Sequence, residues 1–392
     1  MPTTAFVSTY PPQRCGIATF TSDLSAAVGD REVVALQPPD KPGFYPLEVS
    51  RRIARDVLPD YLSAAHWINE RPFRVVSLQH EYGIWGGQDG AYVLDFVKAL
   101  RTPVVATLHT VLQNPTPSQR RILTELVHLA AETVVMSTAA ASLMTRSYGI
   151  DPTRLEIVPH GVPKFPLMAP DGVKSQLGLA GHKVILSFGL LGPGKGYESA
   201  IAAMPAVVRA DPTAVYVIVG ATHPELLRRE GEAYREQLMR LAASLGVADR
   251  VRFVGRYVAA GELALWLTAA DIFVTPYPNL EQIVSGTLSY AMGAGKAIVS
   301  TPYAYASEQL AQGRGRLVAA GSTDALADGL IELALSSALR SDYSRKAGEY
   351  SRGMQWPEIG TAYGKIFDRV AGVQHRREDM AGIADRVAIA SA

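Results

Sequence analysis

A glycine-rich run, Ser187-Phe188-Gly189-Leu190-Leu191-Gly192-Pro193-Gly194-Lys195-Gly196-Tyr197-Glu198, holds the densest chemical signal in the chain. It reads as a strand end, a glycine turn and the start of a helix. Glycines let backbone N–H groups approach an anion, and a helix N-terminus adds a favourable dipole. Lys195 would supply a point charge for phosphate, with Gly189 and Gly192 shaping the loop. The spacing is neither G-x-x-x-x-G-K-[ST] nor G-x-G-x-x-G. A second run, Thr275 to Gly293, again follows a strand. Its Ser285-Gly286-Thr287 opens a helix and could offer N–H groups and hydroxyls to a diphosphate. Glu281 and Gln282 stand just before that helix, where they could bind sugar hydroxyls, and Tyr290 lies within it.

The first half carries a different set. Tyr10 to Phe20 leads from strand to helix through Gly16. Gln79-His80-Glu81-Tyr82-Gly83-Ile84-Trp85 and Leu108-His109-Thr110 each follow a strand. Aromatic rings with His and Glu at strand ends suit sugar recognition, in which rings stack and polar tips bind hydroxyls. No His/Cys cluster has metal-ligand spacing, and there is no Gly-x-Ser-x-Gly elbow. Cys15 reads as a small, half-buried residue rather than a nucleophile.

Such residues need a frame that gathers strand ends. Apolar β-branched runs alternate with helical stretches throughout, and several strands, such as Thr133-Val134-Val135-Met136, have no polar face. That pattern predicts parallel sheets covered on both sides. Strands are expected at Ala5–Ser8, Glu32–Leu36, Arg74–Gln79, Val104–His109, Thr133–Met136 and Leu155–Pro159. Helices are expected between them, one of them at Arg51–Asn69. The pattern breaks at His160-Gly161-Val162-Pro163-Lys164-Phe165-Pro166, a linker by composition. It resumes from Val184 with six more strands and with helices that include Leu226–Leu245. The expected fold class is α/β, with two doubly wound parallel-sheet (Rossmann-like) domains facing a cleft. The boundaries read 1–162 and 163–356, then a last helix within 357–373 and a tail 374–392 that frays.

Composition narrows the function classes. The chain has 392 residues, 19% of them charged, and a formal net charge of +1, so a nucleic-acid footprint is absent and disorder is excluded as the main theme. The single cysteine excludes an intramolecular disulfide framework and fits a reducing compartment. The N-terminus carries no targeting pattern, and the most apolar stretch, Ala264 to Pro276, is interrupted by Asp271. A soluble, cytoplasmic protein is expected. Peripheral membrane contact, for which the Arg51-Arg52 and Arg228-Arg229 pairs are the candidates, is left open, as is the oligomeric state.

Taken in order, these markers resemble the GT-B nucleotide-sugar glycosyltransferases of the large family numbered four. The resemblance runs to about Val373. It rests on the glycine loop at Gly16, the His after the fourth strand at His109, and His160-Gly161-Val162. It continues with Phe188-Gly189 and Lys195-Gly196, the Glu281 region running into Ala291-Met292-Gly293-Ala294-Gly295, and the Trp356 helix, which the resemblance implies is a crossover helix, 357–373, packing back on the first domain. It implies that the second domain binds the nucleotide-sugar donor through Gly189, Gly192, Ser285, Gly286, Thr287 and Tyr290. The first domain would bind a carbohydrate or other hydroxyl acceptor near Gly16, His80, Glu81, Tyr82 and Trp85. His109, Lys195, Glu281 and Gln282 would carry the chemistry. The implied reaction is hexosyl transfer, mannose or glucose from a GDP or UDP sugar. It retains anomeric configuration and needs neither cofactor nor metal; were it inverting, Glu81 or Asp89 would be the base.

Two family positions are altered. The arginine that usually partners the lysine falls at Leu190. The E-x7-E pair is broken: register from Ala291-Met292 gives Gln282 and Tyr290, whereas counting from Glu281 gives Ser289. Rival readings are a non-catalytic nucleotide- or sugar-binding homologue, and a sugar phosphorylase or synthase on the same fold.

Overall fold

The computed structural model describes residues 3–29, 32–39 and 43–390, with side chains through residue 373. The chain divides into two compact units. The first comprises Met1–Gly161 and Trp356–Ala392, the second Val162–Gln355.

In the first unit the strands are β1 (Thr4–Ser8), β2 (Glu32–Gln37), β3 (Val49–Ala54), β4 (Val75–His80), β5 (Val104–Leu108), β6 (Glu132–Val135) and β7 (Leu155–Ile157). They form one parallel sheet in the order β3-β2-β1-β4-β5-β6-β7. The order reverses between β1 and β4, so the loops after Ser8 and His80 diverge at the point where open α/β sheets bind ligands.

The strand β3 lies where the sequence pattern suggested the start of a helix. Its residues are alternately shielded and open, and it pairs with β2 along the sheet edge. The helix begins only at Leu58 and runs to Asn69. Pro59 has no N–H to give the Arg55 carbonyl, which stops a helix from running through 51–57. With β3 counted, His109 follows the fifth strand, not the fourth.

The helix Trp356–Ala390 packs back on this unit. Tyr363 Oη lies 3.0 Å from Thr107 Oγ1 on β5, and the Phe367 ring meets Phe6 of β1 edge-on at 6.2 Å. The tail expected to fray begins where side chains fall outside the described residues.

The second unit holds β8 (Lys183–Phe188), β9 (Ala214–Val219), β10 (Val251–Val254), β11 (Ile272–Thr275), β12 (Ala297–Ser300) and β13 (Arg316–Leu317). Their parallel order is β10-β9-β8-β11-β12-β13, with the switch between β8 and β11. Ile185 of β8 joins one core layer, while Val184 and Leu186 join the other. This explains why the strand is apolar on both faces. The single helix expected at Leu226–Leu245 is two, Pro224–Glu230 and Ala233–Ser244, broken at Gly231 with φ +62°. Short helices at Pro170–Gln176 and Ala304–Gln309 were not foreseen. Among the described residues no helix is long and apolar enough to cross a membrane.

Candidate functional site

In the second unit the two glycine-bearing turns after β8 and β11 come together. Gly196, at φ +71°, presses so close to the Pro276 carbonyl that a Cβ would sit 1.9 Å from its oxygen. Gly220, after β9, approaches the Gly189 carbonyl just as closely: a Cβ there would lie 1.8 Å from the oxygen. Only glycine allows the three strand ends to crowd in this way. The result places Lys195 over the ring of Tyr277, its ammonium 4.5 Å from the ring centroid.

A chain of hydroxyls runs from that ring. Tyr277 Oη lies 2.9 Å from Thr287 Oγ1, which lies 3.2 Å from Ser285 Oγ. Ser285 caps the helix Gly286–Gly293, accepting the Leu288 N–H at 3.3 Å. Gly189 faces the same helix turn: a Cβ on it would touch the Thr287 methyl at 3.4 Å. One cation, two hydroxyls and the first-turn N–H groups of a helix make a cradle suited to a diphosphate.

The residues before that helix are differently disposed. Glu281 is half-buried, and its N–H is taken by Asn279 Oδ1 at 3.0 Å. Gln282 Nε2 donates to the Val284 carbonyl at 2.8 Å, bracing its own loop. Tyr290 packs its ring near Phe165 and Phe188, with centroids 6.1 Å and 6.3 Å away. Ser289 is fully buried and bonded to the Ser285 carbonyl and to Tyr305 Oη at 2.8 Å. Counting the paired-glutamate motif from Glu281 therefore ends on a core hydroxyl. The register through Gln282 ends on the half-buried Tyr290 instead.

In the first unit, His109 Nε2 lies 2.9 Å from Gln79 Oε1. An amide oxygen can only accept, so Nε2 carries the proton and Nδ1 is left as an acceptor. The Phe20 ring meets His109, His160 and Trp356 edge-on at 4.8, 5.2 and 5.3 Å. Burial lowers the pKa of His109 to about 3 and of His160 to about 4, so both are neutral near pH 7. His80 is also held neutral by burial, with its pKa lowered to about 3. It has no exposed surface, and neither ring nitrogen has a partner among the described residues.

Tyr82 and Trp85 are buried as well. Tyr82 donates to the Gln119 carbonyl at 3.2 Å and the Trp85 indole to the Gln79 carbonyl at 3.1 Å. The structure thus sets His80, Tyr82 and Trp85 within the packed interior of the unit, where the sequence had suggested an acceptor surface. Glu81 and Gly16 remain at its border. Glu81 caps the Gly83 N–H at 2.9 Å, and burial pushes its carboxyl above the usual range.

Sequence reasoning gave no role to Tyr277 or Phe20. Tyr277 stands two residues past β11, where only its position after a strand could have marked it. Among the described residues no group of His, Cys, Asp and Glu is arranged to hold a metal ion.

Comparison with known proteins covers both units. Residues 16–164 match the family described as Glycosyltransferase Family 4, and residues 182–336 match Glycosyl transferases group 1. The D-inositol 3-phosphate glycosyltransferase of Actinosynnema mirum is 30% identical over 295 residues, 68% of this chain and 67% of that protein. The phosphatidyl-myo-inositol mannosyltransferase of Mycobacterium leprae is 27% identical over 69% of this chain and 68% of its own. In fold, the chain is similar to Anabaena HepE in complex with UDP and glucose, with a TM-score of 0.76, 15% identity, and coverage of 94% of this chain and 100% of that one. Sucrose-phosphate synthase from Thermosynechococcus elongatus gives a TM-score of 0.78 at 16% identity, covering 95% of this chain and 100% of its own.

Proposed function

Because the chain belongs to the GT-B glycosyltransferases, we propose that it moves a hexose from a nucleoside diphosphate sugar, held by the second unit, to a hydroxyl of an acceptor bound by the first. The observation that carries this reading is the cradle of Lys195, Ser285 and Thr287 at the switch of the second sheet. The names of the relatives favour a polyol acceptor of inositol type.

In the proposed reaction the bond between the anomeric carbon and the diphosphate oxygen breaks. The acceptor oxygen forms its bond on the same face, and its proton passes to the departing phosphate. Retention then needs no protein nucleophile, and charge builds up on the diphosphate. Lys195 and the helix N-terminus would stabilise that charge in place of a metal. His109, neutral and with Nδ1 open as an acceptor, would orient a sugar hydroxyl. The same reading places the enzyme in the reducing cytoplasm, in keeping with the lone Cys15.

Thermal shift across UDP, GDP and their hexose conjugates, followed by transfer to inositol and inositol phosphate, tests the proposal. A stabilising nucleotide sugar and a glycosylated product are expected. Lys195→Ala should weaken nucleoside diphosphate binding by roughly 1.5–3 kcal/mol, the range for a hydrogen bond to a charged group. One of Glu281→Ala and Gln282→Ala should lose most turnover while keeping nucleotide affinity.

A second reading, a binder without turnover, is favoured by Leu190 and Tyr290 at the places of the family arginine and glutamate. Nucleotide-sugar binding with neither transfer nor hydrolysis above a heat-killed control would select it.

A further inference from the structure

We infer that Tyr277 is a positioning residue for Lys195. Its ring is the platform that aims the lysine of the diphosphate cradle, doing the orienting work that a paired arginine would otherwise share. The inference rests on the donor-site reading above, but its geometry does not.

A lysine ammonium on a four-carbon stem is a compact charge with many rotamers, and a glycine turn offers it no wall. The structure supplies one. The Tyr277 ring is 4% exposed and lies 4.5 Å beneath the Lys195 ammonium. The ring is itself fixed from two sides. It stacks on Tyr303, with centroids 5.2 Å apart and planes 20° apart, and Tyr303 has no exposed surface. Its hydroxyl is tied to Thr287 Oγ1 at 2.9 Å, on the helix turn that Ser285 caps. The platform is thus joined to the second anion-binding element, so the lysine and the helix N-terminus are set at a fixed spacing by one rigid side chain.

A cation over a ring face keeps its charge while losing rotamer freedom, which is what a phosphate contact requires. Leu190, in the turn where the resemblance expects arginine, supplies no guanidinium to impose that geometry. The ring therefore acts on affinity for the diphosphate through Lys195 and makes no claim on base or sugar.

Two readouts separate this from a general packing role. In protein whose lysines are reductively 13C-dimethylated, the Lys195 methyl signal, identified by its loss in Lys195→Ala, should be shifted upfield by the ring. The shift should persist in Tyr277→Phe and vanish in Tyr277→Leu. By calorimetry with UDP, GDP and inorganic pyrophosphate, Tyr277→Leu should weaken binding about 5- to 10-fold, within the span of a cation–π contact. Tyr277→Phe should stay within about 3-fold of the parent, since it keeps the ring and loses only the hydroxyl bond. In a Lys195→Ala background, Tyr277→Leu should add less than about 2-fold, because the partner is already gone.

An equal loss in both backgrounds, or a Lys195 signal indifferent to Tyr277→Leu, overturns the inference. Should Tyr277→Leu not fold, Tyr277→Phe with its ring perfluorinated reverses the ring's electrostatic face at nearly constant volume. It must then bind the same anions more weakly than Tyr277→Phe. If the parent protein binds none of the three anions, the donor reading fails, while the methyl shift still decides the place of Tyr277.

Discussion

The two units answer one topological problem with opposite chemistry. Each is an open parallel sheet with a reversal of strand order, β1 to β4 in one and β8 to β11 in the other. At the first reversal the chain gathers buried imidazoles and aromatic rings: His80, His109 and His160, with Phe20 and Trp356 packed around the last two. At the second it gathers glycines, hydroxyls and a single lysine against a tyrosine. The first arrangement depends on burial that keeps its imidazoles neutral. The second depends on backbone crowding and on a lysine set against an aromatic ring. The lesson is that equal folds need not respond equally to pH or to an added methyl group, and each response can be used to tell the units apart.

Acid should separate them most. The three histidines have folded pKa values of about 3, 3 and 4, below their ordinary value. Below pH 6.5 the unfolded chain takes up protons that the folded unit refuses, so stability falls as pH drops from about 6.5 towards about 4. At 1.36 kcal/mol per unit and per group, the combined loss at pH 5 is on the order of 6 kcal/mol. Glu81 acts in the opposite sense. Its raised carboxyl pKa lets the folded state bind a proton first, returning some stability as pH falls towards the ordinary carboxyl value. The expected outcome is that amide exchange followed by mass spectrometry at pH 5 shows the first unit opening well before the second. Simultaneous opening would deny the contrast.

Backbone crowding gives the next effect, and here the second unit is the vulnerable one. Gly220→Ala places a methyl 1.8 Å from the Gly189 carbonyl oxygen at a residue with φ +153°. Both the clash and the backbone conformation resist it, so a loss of about 3 kcal/mol is expected. Urea melts of the variant should show the second unit destabilised. A wild-type midpoint would mean that the turn after β8 can move aside.

Base separates the units in a milder way. Burial lowers the pKa of Lys296, just before β12, to about 8 from 10.5. Between those values the unfolded chain holds a proton that the folded unit has released, so stability rises with pH. From pH 8 to 9.5 the gain is about 1.5 kcal/mol. Exchange rates of peptides around β12, compared between the parent and Lys296→Met, check this: the pH-dependent gain should disappear in the variant.

How much of this contrast was legible in the sequence differs between the units. β10, β11 and β12 were placed to the residue because four-residue β-branched runs between turn signals have few other fates. β3 was hidden because Arg51 and Arg52 interrupt its apolar character, and only the edge position next to β2 makes it a strand. Lys195 and Ser285 were legible because glycine, charge and a helix cap mark anion sites by type and order. Tyr277 was not, since an aromatic two residues past a strand reads the same whether it packs or positions. His80, Tyr82 and Trp85 read as a sugar surface because burial is decided by neighbours far along the chain. Gln119, for example, takes the Tyr82 hydroxyl 37 residues away.

The smallest expected effect concerns the lone cysteine, which sits where the first unit's β1 loop enters its helix. Cys15 is the N-cap of the helix Gly16–Val28: its Sγ accepts the Ala18 N–H at 3.3 Å and lies 3.3 Å from Thr9 Oγ1. Sulfur is a weak acceptor, so the cap is poorer than the serine caps at Ser285, Ser322 and Ser336 of the second unit. Cys15→Ser keeps the geometry and strengthens the acceptor, and should hold or raise the melting temperature slightly. Cys15→Ala leaves the Ala18 N–H without its partner and should lose about 0.5–1 kcal/mol. Transfer activity should survive both changes, since the thiol's contacts are those of a cap. A Cys15→Ser variant that folds normally and binds nucleotide yet has lost turnover would give the thiol a chemical part, and the first unit would then hold a reactive group beside its neutral imidazoles.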